Sequence, residues 1–262
     1  SPYPNLNWLN PSSSSDTSVV HASWHRSDYY LAIDQNRDKA MKDAQHQSHE
    51  SSHAIQHHWE SRYEQNGDHS LSWTESAQSL SQQWIRETLP RSSSIADIGA
   101  GRSMLLPALL DAGYRNLTHV EWSQCASQAL QHQLKDQASH ITWFVGDLNQ
   151  WKPPALIDLW HDRAVFHFQM DHPSIQQYLH SLHRAVRPGG YALLATFHLD
   201  GPETCSGLPV QRYDANSLVS TLNDSKDANW KPVKSQIWTH RTPSGSEQIF
   251  QYLLAQQTSF DP

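Results

Sequence analysis

Cysteine is scarce in this chain: its 262 residues include two, Cys125 and Cys205. Two cannot build a disulfide framework, and their separation matches no metal-binding spacing, so a reducing compartment is expected. Positive charge is also in deficit, with 19 Lys and Arg against 26 Asp and Glu, a net charge of -7. That balance argues against a partner held by phosphate neutralisation, so no nucleic acid is expected. No apolar run approaches the roughly 18 residues of a membrane span. The opening "SPYPNLNWLNPSSSS" lacks the basic-then-apolar order of a signal peptide. Ser1 in place of an initiating Met leaves room for residues before it. The resulting expectation is a cytoplasmic protein with no membrane partner.

Aliphatic residues are sparse before about residue 90, where Ser, His, Gln and Asn dominate. Residues 1–28 show no sustained periodicity and read as poorly ordered, whereas residues 31–65 read as a polar helix. In "SLSWTESAQSLSQQWIRETLP", Leu71, Leu80, Trp84, Ile85 and Leu89 recur at partly helical spacing until Pro90 ends the run. From Ser94 onward apolar runs alternate with helical stretches. Strands are expected near Ile95–Ile98, Leu117–Glu121, Ile141–Val145, Ile157–His161 and Tyr191–Phe197. Helices are expected near Met104–Ala112, Cys125–Lys135 and Ile175–Val186. This alternation implies βαβ units and a parallel sheet. "KSQIWTHRT" and "EQIFQYLLAQQ", joined around "PSGS", read as a hairpin that closes it.

The stretch "SIADIGAGRSMLLPALLDAGY" brings a strand to an acid, two glycines and a helix. Gly99 and Gly101 allow a tight turn and close approach of backbone to a ligand. A dinucleotide loop would need G-x-G-x-x-G, but Ser103 or Met104 stands where its last glycine belongs. Asp97 also lies ahead of the glycines. That order fits a cofactor without phosphate and with a cationic amino group, the methionyl end of S-adenosylmethionine. About 20 residues on, "THVEWS" places Glu121 at a strand end, where a carboxylate meets ribose hydroxyls.

In "DIGAG", Glu121, "WFVGDLNQW" and "RAVRPGG", the chain resembles the class I, Rossmann-like methyltransferases that use S-adenosylmethionine. The resemblance runs from about Gln56 to Gln257 and includes features of the small-molecule, thiopurine-type branch. It implies an α/β fold with a doubly wound, mostly parallel seven-stranded sheet, a C-terminal antiparallel hairpin and helices on both faces. The implied division is an N-terminal extension over 1–55 and a methyltransferase domain over 56–257. S-adenosyl-L-methionine is the implied cofactor, held by Asp97, Gly99, Ala100, Gly101, Glu121, Trp122, Asp147, Leu148 and His161. "WESRYEQNGDHSLSW" resembles the Trp- and Tyr-bearing N-terminal helix of small-molecule and lysine methyltransferases, so Trp59, Tyr63 and Trp73 would cover the cofactor. Ser103 departs from the third glycine common in the family.

After the fourth strand, "IDLWHDRAVFHFQMDHPS" lacks the Asn or Asp, paired prolines and aromatic of enzymes that methylate nucleobase or glutamine nitrogens. It resembles the "DRA" stretch of small-molecule enzymes and brings His161, Asp162, Arg163 and His167 to the ligand-binding edge of the sheet. His161 suits cofactor contact or proton removal, and Arg163 or His167 substrate orientation. The competing structural reading pairs Asp162 with Arg163 and puts Phe166 and Phe168 in the core. "ATFHLDGPETCSGLPVQRYD" reads as a long ordered loop over the pocket, with His198 available as another base and Cys205 not expected to act as a nucleophile. His46, His49, His53 and His57 recur at helical spacing, but with 18 histidines in the chain no dedicated metal site is expected. The expected activity is methyl transfer to a small-molecule acceptor by a monomer or homodimer. Protein lysine methylation and a non-catalytic cofactor-binding module are the alternatives.

Overall fold

The computed structural model describes residues 54–65, 79–225, 228–242 and 245–258. These belong to the unit Ser51–Pro262. Trp73, His46, His49, His53 and the polar stretch 1–53 lie outside the described residues.

Residues 54–65 are helical (α1). Then follow α2 (Leu80–Thr88), β1 (Ser94–Ile98), α3 (Leu105–Asp111), β2 (Asn116–Glu121), α4 (Gln124–Leu134), β3 (Ile141–Val145) and β4 (Ile157–Arg163). The second half holds α5 (His172–Ala185), β5 (Val186–Phe197), the short pair β6 (Thr204–Cys205) and β7 (Leu208–Pro209), α6 (Ala215–Leu222), β8 (Asn229–Arg241) and β9 (Glu247–Thr258). Local chemistry explains the helix starts. Ser79 and Ser123 accept from the backbone N–H of Gln82 and Ala126 to cap α2 and α4. Asp171 with Ser174, and Asp214 with Ser217, form capping boxes on α5 and α6.

Seven strands form one sheet in the order β3-β2-β1-β4-β5-β9-β8. The first five are parallel, and β9 runs antiparallel to both β5 and β8. The expected doubly wound sheet with its closing hairpin is therefore present. From β1 the chain moves outward through β2 and β3, then returns to the other side of β1 as β4. This reversal leaves a crevice beyond the carboxyl ends of β1 and β4, where open α/β sheets bind ligands.

Each face of the sheet has its own core. Leu80, Trp84 and Ile85 of α2, Leu106 and Leu109 of α3, and Leu130 of α4 pack on one face. Tyr178, Leu179 and Leu182 of α5 and Leu218 and Leu222 of α6 pack on the other. Removing each such side chain from water is worth about 1.5–3 kcal/mol. Trp160 is fully buried on the α5 face, and its indole N–H finds the Tyr178 hydroxyl at 2.8 Å.

Three elements differ from the sequence expectation. Strand β5 begins at Val186, ahead of the expected Tyr191, because an irregularity between Ile157 and Leu159 lets it pair through the "RPGG" turn. Gly190 makes this possible: a Cβ there would stand 2.9 Å from the Arg187 carbonyl and 3.1 Å from that of Asp158. The ordered loop expected after β5 carries the short pair β6 and β7, and α6, which was not expected, follows it. Strand β8 begins at Asn229, ahead of Lys234.

Candidate active site

The turn after β1 is shaped from below by β2. Gly99 and Gly101 both take left-handed backbone conformations, with φ of +58° and +55°. The Ala100 N–H donates to the Val120 carbonyl at 3.2 Å, and the Gly101 N–H to Glu121 Oε2 at 2.7 Å. His119 Nε2 meets the Gly101 carbonyl at 3.0 Å. Glu121 Oε1 also accepts from the N–H groups of Trp122 and Ser123, at 2.8 and 2.9 Å. Burial pushes this carboxyl above the usual range, while those three N–H groups pull it back. A carboxylate has about four lone-pair positions, so one remains beyond the three bonds made here.

Asp97, in contrast, is turned inward. Its Oδ2 accepts from the Ser103 hydroxyl at 2.6 Å, and its Oδ1 lies 2.7 Å from His161 Nδ1. Ser103 occupies the place of the absent glycine and accepts from Leu105 N–H at 3.1 Å, starting α3. His161 Nε2 meets the Ser81 hydroxyl at 2.8 Å. A chain Ser81–His161–Asp97–Ser103, buried up to the half-buried Ser103, thus ties α2, β4, β1 and the glycine turn together. None of these four side chains lines the cavity described below.

Asp162 and Arg163 are not partners. Successive strand residues point to opposite faces, and each finds its own contacts. Asp162 accepts from Val165 and Phe166 N–H, both at 2.9 Å, and from the Tyr178 hydroxyl in a short bond. Its carboxyl is pushed up to about 6 by burial, against the pull of these donors. The clamp holds the turn after β4, where Ala164 has a left-handed φ of +70°. Arg163 points the other way: its Nε donates to the Tyr252 hydroxyl at 3.1 Å, and the guanidinium lies 4.5 Å from the Phe250 ring centre. His167 is fully buried, and its Nδ1 accepts the Phe197 N–H at 3.3 Å. Burial, reinforced by Arg163, pushes His167 down to about 3, so the imidazole is neutral.

Helix α1 supplies another wall. Glu60 accepts from the Cys125 N–H at the start of α4 at 2.9 Å, and Arg102 donates to the Tyr63 carbonyl at 2.9 Å. The Tyr63 hydroxyl sits where a side chain on Gly101 would begin: a Cβ there would lie 2.1 Å from it. Trp59 meets the edge of Phe168 at 5.2 Å between ring centres.

These elements enclose a cavity of about 440 Å³. Of the residues expected to bind cofactor, Trp59, Tyr63, Gly99, Glu121, Trp122, Asp147 and Leu148 line it. Ala100 and Gly101 lie in the turn beside it, and Asp97 and His161 lie behind. Asp147 accepts from the N–H of Asn149 at 2.9 Å, which caps the turn Leu148–Gln150. Of the expected catalytic group, Arg163 alone reaches the cavity; His161, Asp162 and His167 stand in the framework. Asp171, Ser174, Gln177 and Tyr178 also line it, which sequence reasoning missed. Their three- and four-residue spacing on one face of α5 was the available signal. The glycine cradle, the spare position on Glu121 and the cavity volume fit the implied cofactor.

No curated protein matches the chain. Residues 95–190, a little over a third of it, match the Methyltransf_25 family model, described as a methyltransferase domain. Among solved structures, the chain is similar to 1,6-didemethyltoxoflavin-N1-methyltransferase of Burkholderia thailandensis with bound 1,6-didemethyltoxoflavin and S-adenosylhomocysteine. That match has a TM-score of 0.66 at 20% identity and covers 80% of this chain and 90% of the other. The structure described as "Conversion of a Disulfide Bond into a Thioacetal Group during Echinomycin Biosynthesis" gives 0.58 at 14%, covering 73% and 86%. The glycopeptide N-methyltransferase MtfA with S-adenosyl-L-methionine gives 0.52 at 14%, covering 74% and 98%. At these identities the structural likeness is one of fold. Residues 95–190 thus match a methyltransferase domain, and the doubly wound sheet, with its glycine turn and acidic β2 end, has the Rossmann-like methyltransferase fold.

Proposed function

We propose that this enzyme methylates a small-molecule acceptor, with residues 56–257 as its working domain. The observation that carries the reading is the walled cavity, in which Trp59, Tyr63 and Phe168 stand beside the cofactor cradle. The likeness to an enzyme that acts on 1,6-didemethyltoxoflavin supports it.

S-adenosylmethionine, when bound, supplies an already activated methyl group, so the protein's share of catalysis is chiefly positioning. Glu121 offers its remaining lone pair to the ribose hydroxyls. Asp147 and the backbone at Leu148 would hold the adenine, and Trp122 would offer it a flat wall. Gly99 and Gly101 let the backbone approach the methionyl end, under Tyr63. Asp97 acts at one remove by holding Ser103, and His161 and Asp162 likewise position the turns after β1 and β4. His167, neutral and turned from the cavity, packs the turn after β4.

Cys125 and Cys205 are both free, which suits a cytoplasmic setting; among the described residues no helix is long and apolar enough to cross a membrane. The test is product mass. Purified protein with S-adenosylmethionine is given either a small-molecule extract or a protein lysate. A gain of one methyl in the small-molecule fraction is expected; methylated protein lysine in the lysate with no small product would overturn the reading.

A further inference from the structure

We propose that His119 is a positioning residue for the cofactor: its Nε2–H holds the Gly101 carbonyl and, through Gly101, sets two residues of the cavity wall, Glu121 and Tyr63. This rests on the methyltransferase reading and adds to it a residue that stands outside the cavity lining.

The geometry follows from the register of the sheet. His119 lies opposite Asp97 of β1 and Trp143 of β3, and Asp97 lies opposite His161 of β4. Residues in register on neighbouring parallel strands point to the same face, so Trp143, His119, Asp97 and His161 form one row across the sheet. That row grips the glycine turn at two points: Asp97 accepts from the Ser103 hydroxyl at 2.6 Å, and His119 meets the Gly101 carbonyl at 3.0 Å. Glu121, on the same face of β2 as His119, accepts from the Gly101 N–H at 2.7 Å. Both polar backbone groups of Gly101 are therefore held by side chains of one strand. Gly101 in turn borders the wall, because its N–H fixes Oε2 of Glu121 and a Cβ on it would come within 2.1 Å of the Tyr63 hydroxyl. Glu121 and Tyr63 line the cavity.

The chemistry of the ring agrees with this role. A carbonyl oxygen only accepts, so Nε2 must carry the proton. Burial pushes the His119 imidazole below its usual range, outweighing the Gly101 carbonyl, Asp97 and its own backbone, which raise it. The ring is thus neutral and has one N–H to give. Its Nδ1 is buried and has no hydrogen-bond partner among the described residues. Trp143 packs against the ring at 4.7 Å between centres and backs it from β3. Gly101 is itself buried, where a lost hydrogen bond is costly. Without the Nε2–H the turn shifts, and the Gly101 N–H leaves Glu121.

Two variants of the full chain separate positioning from packing. In His119→Gln the side-chain amide takes the place of Nε2 and keeps a donor. In His119→Phe the ring and its Trp143 contact stay, and the donor goes. S-adenosylhomocysteine affinity is measured by calorimetry at a temperature where both variants are folded. The Gln variant should bind as tightly as wild type, and the Phe variant about tenfold or more weakly. In isotope-labelled protein, exchange of the Gly101 amide should quicken in the Phe variant alone, while amides of β5 and β9 stay protected. The ring-nitrogen shifts of wild-type His119 should show the proton on Nε2. A Phe variant that melts lower but keeps wild-type affinity and Gly101 exchange would make His119 a packing residue and overturn the proposal, as would weakened binding by the Gln variant. Should His119→Phe fail to fold, the wild-type tautomer and the Gln variant decide, and a proton on Nδ1 overturns the proposal. Failure of wild-type protein to bind S-adenosylhomocysteine would instead bring down the methyltransferase reading, since the tautomer and the Gly101 exchange are read without cofactor.

Discussion

Replacing Asp162 with Asn removes a charge from a fully buried site and should reshape the pH dependence of stability. The carboxylate serves three donors, Val165 N–H, Phe166 N–H and the Tyr178 hydroxyl. An Asn oxygen can keep the Phe166 and Tyr178 bonds, but its amide then faces the Val165 N–H, donor against donor. That loss costs about 1–3 kcal/mol and does not depend on pH. The charge term does. An ordinary aspartate titrates at 3.8, whereas burial pushes Asp162 up to about 6. The folded state therefore holds the proton more tightly, so the stabilising contribution is complete below about pH 4 and is lost as pH rises through about 6. At about 1.4 kcal/mol per pH unit, the interval corresponds to about 3 kcal/mol. Asn cannot titrate, so wild-type stability minus that of Asp162→Asn should fall by about 3 kcal/mol between pH 4 and pH 7 and stay level above. Subtracting the variant cancels the opposite trends of Asp158, Asp171 and Asp214, whose carboxyls are held below the usual range. Denaturant unfolding at several pH values measures this. A difference that does not change with pH, or that grows from pH 4 to pH 7, would refute the assignment.

Gly101→Ala should cost about 1–2 kcal/mol for its left-handed backbone alone and should also displace Tyr63, so a lower melting temperature with weaker S-adenosylhomocysteine binding by calorimetry is expected. Glu121→Ala removes the acceptor for three backbone N–H groups as well as the ribose contact; a loss of about 1.5–3 kcal/mol, at least tenfold in cofactor affinity, is expected. His161→Gln should lower the melting temperature, since it disturbs the links to Asp97 and Ser81, yet leave the shape of the pH–rate profile of turnover unchanged. A vanished acid limb would make His161 a base after all.

The central sheet was readable because its strands are short apolar runs, and Ile141–Val145 appears with the expected bounds. Helix α6 was not: "ANSLVSTL" follows a Gly- and Pro-rich stretch, and its Asp214 capping box is the local mark of its start. At the site, the acid-before-glycine order located Asp97 but not its direction. Its partner His161 lies 64 residues away, and only the β1–β4 register brings them together. The pairing of Asp162 with Arg163 followed from adjacency, although the two-residue period of a strand already sends them to opposite faces. Arg163 could not be placed on the cavity until β9 supplied Phe250 and Tyr252 behind it.

Helix α1 lies well before the stretch that carries the family likeness, which begins at residue 95. Even so, Ile55, Trp59 and Tyr63 are part of the cavity wall. The portion of the chain that carries the family match and a portion that walls the cavity are therefore separate in sequence. The second can be altered in sequence without changing a single strand of the first. A fragment trimmed to residues 95–190 will therefore lose the wall provided by α1.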